Sequence, residues 1–391
     1  MSRLLSPRII GLLLLVALLG GGAWLLRPAR SATIQASLSV AEALSAPAAG
    51  FARATEPRPF SFPDDHGPHQ EYQTEWWYYT GNLDTADGRH FGYQLTLFRR
   101  GLTTEPVERA SNWATNNIYM AHFALTDVAG KQFYSFERYS RDGAGLAGAE
   151  ADPFRVWTGA WEAAGAPETG THLRAAQGPV ALDIVARSTK EPVLQGNAGL
   201  SQKSDAQGNA SYYYSLTRMV TEGTITIDGQ SYAVSGLSWK DREWATQALA
   251  EDQIGWDWFA FHLTDGSDLM VGQLRRMNGP AEWYGGSFTL ENGNNTLLIP
   301  GEVEFEILDY WTNPEGIRYP SRWRITVPKI ELVVETEPYL PDQELQTAIK
   351  YWEGAVRVTG TRNGQPVSGN GYIEMTGYSD QENSTVPNRG Q

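Results

Sequence analysis

Cysteine is absent from all 391 residues, which excludes disulfides, thiolate metal sites and a cysteine nucleophile together. Stability must come from packed cores. Positive charge is scarce, with 31 Lys and Arg against 45 Asp and Glu and a net charge of −14. Such a surface repels phosphate backbones, so no nucleic-acid partner is expected. Also missing are a Gly-x-Ser-x-Gly elbow, a phosphate loop and a Gly-rich dinucleotide fingerprint. A hydrolase reading would therefore have no visible nucleophile, and no cofactor is expected. Helical periodicity is rare beyond the N-terminus; its best stretches are Trp244 to Asp252 and Asp342 to Lys350, the second preceded by Pro341.

What the chain has in quantity is aromatic side chains, with 14 Trp and 18 Tyr. They are good strand formers and core fillers, and they equally suit an aromatic-lined ligand cavity. Ile9 to Leu26 is an almost unbroken apolar run preceded by Arg3 and Arg8, the layout of a signal segment or a membrane anchor over residues 1–31. The expected location is the cell envelope, periplasmic or secreted, with a tether at residues 9–26 if the segment is retained. Residues 1–30 hold four arginines and no acid, so their removal would take the net charge to −18. Residues 32–59, rich in Ala, Ser and Pro, read as a linker.

Beyond residue 60 the chain reads as strand after strand, split by turn signals such as Asp87-Gly88, Asp228-Gly229, Asp265-Gly266, Asn292-Gly293 and Asn363-Gly364. A layout is repeated. Glu75-Trp76-Trp77-Tyr78, Asp87-Gly88, Gln94-Leu95 and Arg99-Arg100 return as Trp256-Asp257-Trp258, Asp265-Gly266, Gln273-Leu274 and Arg275-Arg276. Each copy predicts a hairpin, so the chain is expected to be all-β and built from two related units, 60–242 and 243–380. A pair of barrels is a container, which directs attention to an apolar ligand.

Three groups of residues could carry chemistry. The run Trp239-Lys240-Asp241-Arg242-Glu243-Trp244 ends a predicted strand and sets two acids around an arginine. It is either a proton-donating centre or an ion-pair network locking the units together, since Arg242 beside Asp241 would lower that carboxyl's pKa. His66 and His69 have a spacing that can supply two metal ligands, but Gly67-Pro68 makes the segment a turn and a third ligand is not evident; no metal is expected. His122 and His262 sit in strand patterns, as core histidines or ligand contacts. Trp256 and Trp258 fall on one face of a strand.

Phe62-Pro63-x-Asp65-His66-Gly67-x-His69, Glu75-Trp76-Trp77-Tyr78-x-x-Gly81, Tyr212-Tyr213-Tyr214-Ser215 and Ser238-Trp239-Lys240-Asp241-Arg242-Glu243-Trp244 together resemble the AttH and carotenoid 1,2-hydratase family. The resemblance implies two lipocalin-like β-barrel domains in tandem after the hydrophobic segment and linker. It also implies relatives that hydrate apolar polyenes, and others regarded as secreted hydrolases, some encoded beside an ABC transporter. In the hydratases a tryptophan followed two residues later by an aspartate belongs to the active site, which Trp239 and Asp241 match here. The expected catalytic set is Asp241, Trp239 and His69. The expected ligand contacts are Trp76, Trp77, Tyr79, His122, Tyr213, Arg242, Trp256, Trp258 and His262. Two functions stay open: a hydratase-like lyase acting on a small apolar ligand, or a non-catalytic carrier serving an ABC transporter permease. A donor carboxyl buried in a cavity favours the first. A solvent-exposed or salt-bridged Asp241 favours the second.

Overall fold

Period-two patterning governs the chain from Thr74 onward, and it folds as strand almost throughout. The computed structural model describes residues 49–105, 111–246, 249–250 and 252–378. The apolar run at residues 9–26 lies outside the described residues, as does most of the linker at 32–59. Among the described residues no helix is long and apolar enough to cross a membrane.

Two sheets, of 13 and 10 strands, are built from antiparallel pairs. The first runs from Thr74 to Ala245 and the second from Gln253 to Thr376. The first curls into a nearly closed barrel and the second into a half-barrel, giving two lipocalin-like, barrel-type domains in tandem. In each sheet the opening strand lies between its hairpin partner and the last strand of the sheet. In the first, Thr74–Asp84 pairs with His90–Gly101 on one side and with the closing strand Gln230–Ala245 on the other. In the second, Gln253–Leu263 pairs with Asp268–Arg276 and with the closing strand Gln365–Thr376. The two opening hairpins are the repeated layout seen in the sequence. Both turn through an Asp-Gly pair whose glycine takes positive φ, 87° at Gly88 and 80° at Gly266, a conformation that costs other residues energy.

Strand alternation distributes the aromatic wealth over several cores, three of which bear on the site. Trp77 and Tyr79 point into the first barrel, among Leu95, Phe123 and Trp161. Phe259 and Phe261 fill the second, with Trp323 and Trp352. Their neighbours on the opposite face form a third cluster between the sheets: Tyr78, Tyr213 and Trp239 from the first meet Trp258, Ala355 and Tyr372 from the second. Hydrogen bonds fasten this seam, from Asn82 Nδ2 to the Gly371 carbonyl (3.1 Å) and from Thr126 Oγ1 to Gln343 Oε1 (2.7 Å). At Gly92 a Cβ would stand 2.5 Å from that of Ala355, so the close approach of the sheets requires glycine there.

The two helical expectations do not hold where the chain is described. Trp244 and Ala245 extend the closing strand, held by pairing with Glu75 and Thr74. In Asp342–Lys350, Glu344–Leu345 form a short strand against Tyr351 and Trp352. Gln343 uses its amide side chain on both backbone groups of Ala355. Tertiary hydrogen bonds of this kind override a weak helical periodicity.

Candidate active site between the two sheets

The closing strand of the first sheet divides its charged residues by parity. Lys240, Arg242 and Trp244 face one side, while Trp239, Asp241 and Glu243 face the seam. Asp241 is opposite Tyr78 on the opening strand and Ser215 on the strand Ala210–Ile227. Its Oδ1 accepts from Trp239 Nε1 (2.7 Å) and Ser215 Oγ (2.6 Å), and its Oδ2 accepts from the Tyr213 hydroxyl (2.9 Å). Tyr213 is itself fixed, because its oxygen accepts from Trp258 Nε1 of the second sheet at 3.2 Å.

These donors are uncharged, and Asp241 is 4% exposed. Burial therefore dominates and pushes the carboxyl from 3.8 up to about 7, against the opposing pull of the Ser215, Trp239 and Tyr213 bonds and with some help from Glu243. Glu243 is managed differently: it accepts from the Ser211 hydroxyl and pairs with Lys203 at 3.0 Å. The second sheet contributes two further acids. Glu374 lies opposite Trp258 on one side and Glu353 on the other. Burial raises both carboxyls above their usual range, and for Glu353 the adjacent Glu374 adds to it.

A narrow cleft opens over these groups. Half of its wall is aromatic, from Trp76, Tyr78, Phe98, Tyr213, Trp256, Trp258 and Tyr351, and its charged lining is Asp241, Glu243 and Glu374 with Lys203. Tyr78 meets Trp258 edge to face at 5.2 Å, a geometry in which indole and phenol faces are held rigidly. The arrangement offers an apolar guest two carboxyls that burial keeps protonated, Asp241 and Glu374, and several π faces.

The family model described as AttH-like matches residues 53–378. A crystal structure from Nitrosomonas europaea assigned as AttH is 32% identical, with a TM-score of 0.75, over 84% of this chain and 100% of that one. The chain belongs to the AttH-like family. Two more distant structures share its fold. Kievitone hydratase from Nectria haematococca matches with a TM-score of 0.62 at 17% identity, over 84% of this chain and 99% of that one. CghA, solved with Sch210972, matches with a TM-score of 0.51 at 14% identity, over 84% and 96%. No curated protein matches the chain.

In this AttH-like chain the cleft brings together Asp241, Tyr213, Trp76, Trp256 and Trp258 among the residues singled out from sequence; Trp239 stands behind Asp241 as a hydrogen-bond donor. Others are placed elsewhere. Arg242 is on the opposite face, bonded to Glu75 and lying over the Trp77 ring at 4.0 Å. It neither pairs with Asp241 nor meets the cleft, so the ion-pair network once open for Asp241 forms instead around Glu75, which Arg99 also contacts. His69 belongs to that second network. It stacks on Trp244 at 3.7 Å, with Nε2 2.9 Å from Asp65 and Nδ1 3.1 Å from Arg242. His69, expected in the catalytic set, therefore lies on the opposite face of the sheet from Asp241. Trp77 and Tyr79 point into the first barrel by the same parity, so they are not walls of the cleft.

His122 lies behind the cleft, its Nδ1 2.6 Å from the Tyr351 hydroxyl and Nε2 3.2 Å from Glu137. His262 is spent on the Thr217 carbonyl at 2.8 Å, with its ring 5.9 Å from Trp239. Tyr78, Ser215, Glu353 and Glu374 were not among the expected site residues. Tyr78 and Ser215 sat inside the quoted motifs, and parity counted from Trp76 along the same strand selects Tyr78. Glu353 and Glu374 carry no local signal beyond an acid placed within an apolar strand.

Proposed function

We propose that the protein adds water to an isolated alkene of an apolar, polyene or terpenoid-like ligand held in the seam, with Asp241 as the proton donor. The observation that carries this reading is a buried carboxyl, bonded only to uncharged donors, at the wall of an aromatic cleft. Protonation of an unactivated alkene carbon needs a strong acid that is nevertheless protonated at rest. Burial keeps Asp241 neutral, while Trp239, Ser215 and Tyr213 already point at it and stabilise the carboxylate left behind, as preorganised donors do for any developing anion. The alkene π pair forms the new C–H bond with the Asp241 proton, and positive charge appears on the more substituted carbon. The faces of Trp76, Trp256 and Trp258 stabilise that charge, each by roughly 2 kcal/mol in a dry site. A water oxygen then forms the C–O bond and sheds one proton. The hydratase among the structural relatives is consistent with this reading through its fold alone.

The carrier reading called for an exposed or salt-bridged Asp241, and the burial of that residue weighs against it. Export to the cell envelope is part of the proposal, on the apolar run at residues 9–26.

The test uses squalene, an acyclic isoprenoid alkene, in heavy-oxygen water. The wild type should yield labelled tertiary alcohol by mass spectrometry, and Asp241→Asn should yield none while its circular dichroism stays that of the wild type. Equal turnover in the variant removes Asp241 from the mechanism.

A further inference from the structure

We propose that the rim of the cleft is a membrane-contact surface, on which the protein rests against a lipid bilayer and takes its apolar ligand from it. The surface is a property of the approach to the cleft and holds whether or not the cleft is catalytic. Burial along the strands locates the opening. Tyr78, Thr96, Asp241 and Trp258 form an inner rung and are buried, whereas Trp76, Phe98 and Trp256 are part-exposed. Each of these three lies two residues nearer the end where the chain passes from Ala245 to Gln253. The cleft therefore opens at that end.

From the opening, an apolar face continues outward over the first sheet. Residues directly opposite in neighbouring strands share a face. The pairing runs from Trp76 to Phe98, then to Met120 on the strand Asn117–Asp127 and to Tyr139 on Gln132–Arg141. Exposure rises along that row, reaching 53% at Tyr139. One rung further out stands Ile118, also exposed, between Arg100 and Arg141. The loop before it carries Trp113, 61% exposed, and its Asn112 carbonyl accepts from the Ala144 N–H at 2.6 Å, beside exposed Leu146. Leu102 joins them through its N–H, 2.9 Å from the Asn116 carbonyl, and Met277 is exposed at the same end of the second sheet. These six make up half of the large apolar side chains exposed among the described residues. Single exposed apolar residues are ordinary, but such a concentration around one opening marks a contact surface.

Three observations make a bilayer the occupant. The rim is continuous with the aromatic wall of the cleft through Phe98, so an apolar guest entering from lipid never crosses water. Its residue types suit the headgroup level, where Trp and Tyr rings lie half in lipid and arginines such as Arg100 and Arg141 turn their charge outward. The chain also enters the fold here: Gly50 and Phe51 pack against Thr104 and Gly101, next to Leu102. Only residues 27–49 separate that point from the apolar run at 9–26. With a net charge of −14, the protein gains nothing from anionic headgroups, so the contact depends on apolar insertion rather than on charge.

The absence of cysteine makes the test clean. In the full chain, Trp113→Cys, Tyr139→Cys and Gln230→Cys each introduce a single thiol for a fluorescent label; Gln230 is exposed at the far end of the closing strand. Each labelled protein is mixed with phosphatidylcholine vesicles whose acyl chains carry a nitroxide quencher. Labels at 113 and 139 should be quenched several-fold more than the label at 230. Adding Ile118→Asp and Tyr139→Asp to the Trp113→Cys protein should cut its quenching several-fold while circular dichroism stays that of the wild type. Equal quenching at the three positions, or none at any, overturns the proposal. A label at 113 that is shielded from an aqueous quencher before vesicles are added also overturns it, because another part of this chain or a second copy then covers the rim. No turnover enters the measurement, so a wild type that fails to hydrate squalene defeats the hydration reading and not this one.

Discussion

Asp241 and Glu75 are two buried carboxyls less than two strands apart in the first sheet, and they show how neighbours set the behaviour of an acid. Asp241 is buried without a cation and rises to about 7. Glu75 is buried between two arginines and falls. The consequences for stability have opposite signs. Because Asp241 binds its proton more tightly in the native state, its contribution is complete below its ordinary value near 3.8 and is lost as pH rises through about 7. Glu75 contributes above its ordinary value of 4.5 and loses that contribution only in acid. Relative to the wild type, Asp241→Asn should therefore make the change in melting temperature between pH 5 and about pH 7 less negative, because it removes the one contribution that Asp241 loses over that range. A slope unchanged by the substitution would mean that Asp241 titrates as an ordinary carboxylate.

At the scale of the element, the closing strand Gln230–Ala245 carries the argument. Its parity sends Asp241 to the seam and Arg242 to the Glu75 network, so two residues adjacent in sequence act in separate systems. Removing the charge of Glu75 leaves Arg99 and Arg242 buried without their partner. Glu75→Gln should lower unfolding stability in urea by about 3–5 kcal/mol, while a change below about 1 kcal/mol would show the network to be incidental. The strands themselves were legible, because Asp-Gly turns and alternating apolar residues mark the hairpins around Gly88 and Gly266. The Trp239-x-Asp241 pair was legible too, as a motif. What failed was reading Asp241, Arg242 and Glu243 as one cluster, since proximity along a strand is the opposite of sharing a face. The helix expected at Asp342–Lys350 failed for another reason: Gln343 satisfies the backbone of Ala355, a partner that composition does not reveal.

For the whole molecule, the site exists only because two sheets press their outer faces together. Asp241, Tyr213 and Tyr78 come from one and Trp256, Trp258 and Glu374 from the other, and the Trp258 to Tyr213 bond crosses between them. That is why the second pair of acids escaped a reading of the sequence: Glu353 and Glu374 lie more than 100 residues from Asp241, and only the docking of the sheets brings them together. Gly92 is the test of that docking. Gly92→Val would drive a side chain into Ala355, at a cost of about 1–3 kcal/mol. The variant should keep its β circular dichroism but lose squalene hydration, whereas full activity would show that the closed seam is not required.

The central claim is that Asp241 stands protonated near neutrality at the wall of this seam. Carbon-13 NMR of aspartate-labelled protein, with the Asp241 resonance assigned by its absence in Asp241→Asn, measures this directly. The carboxyl carbon should titrate with a midpoint near 7. A midpoint near the ordinary 3.8 would leave the site without an acid and contradict the account.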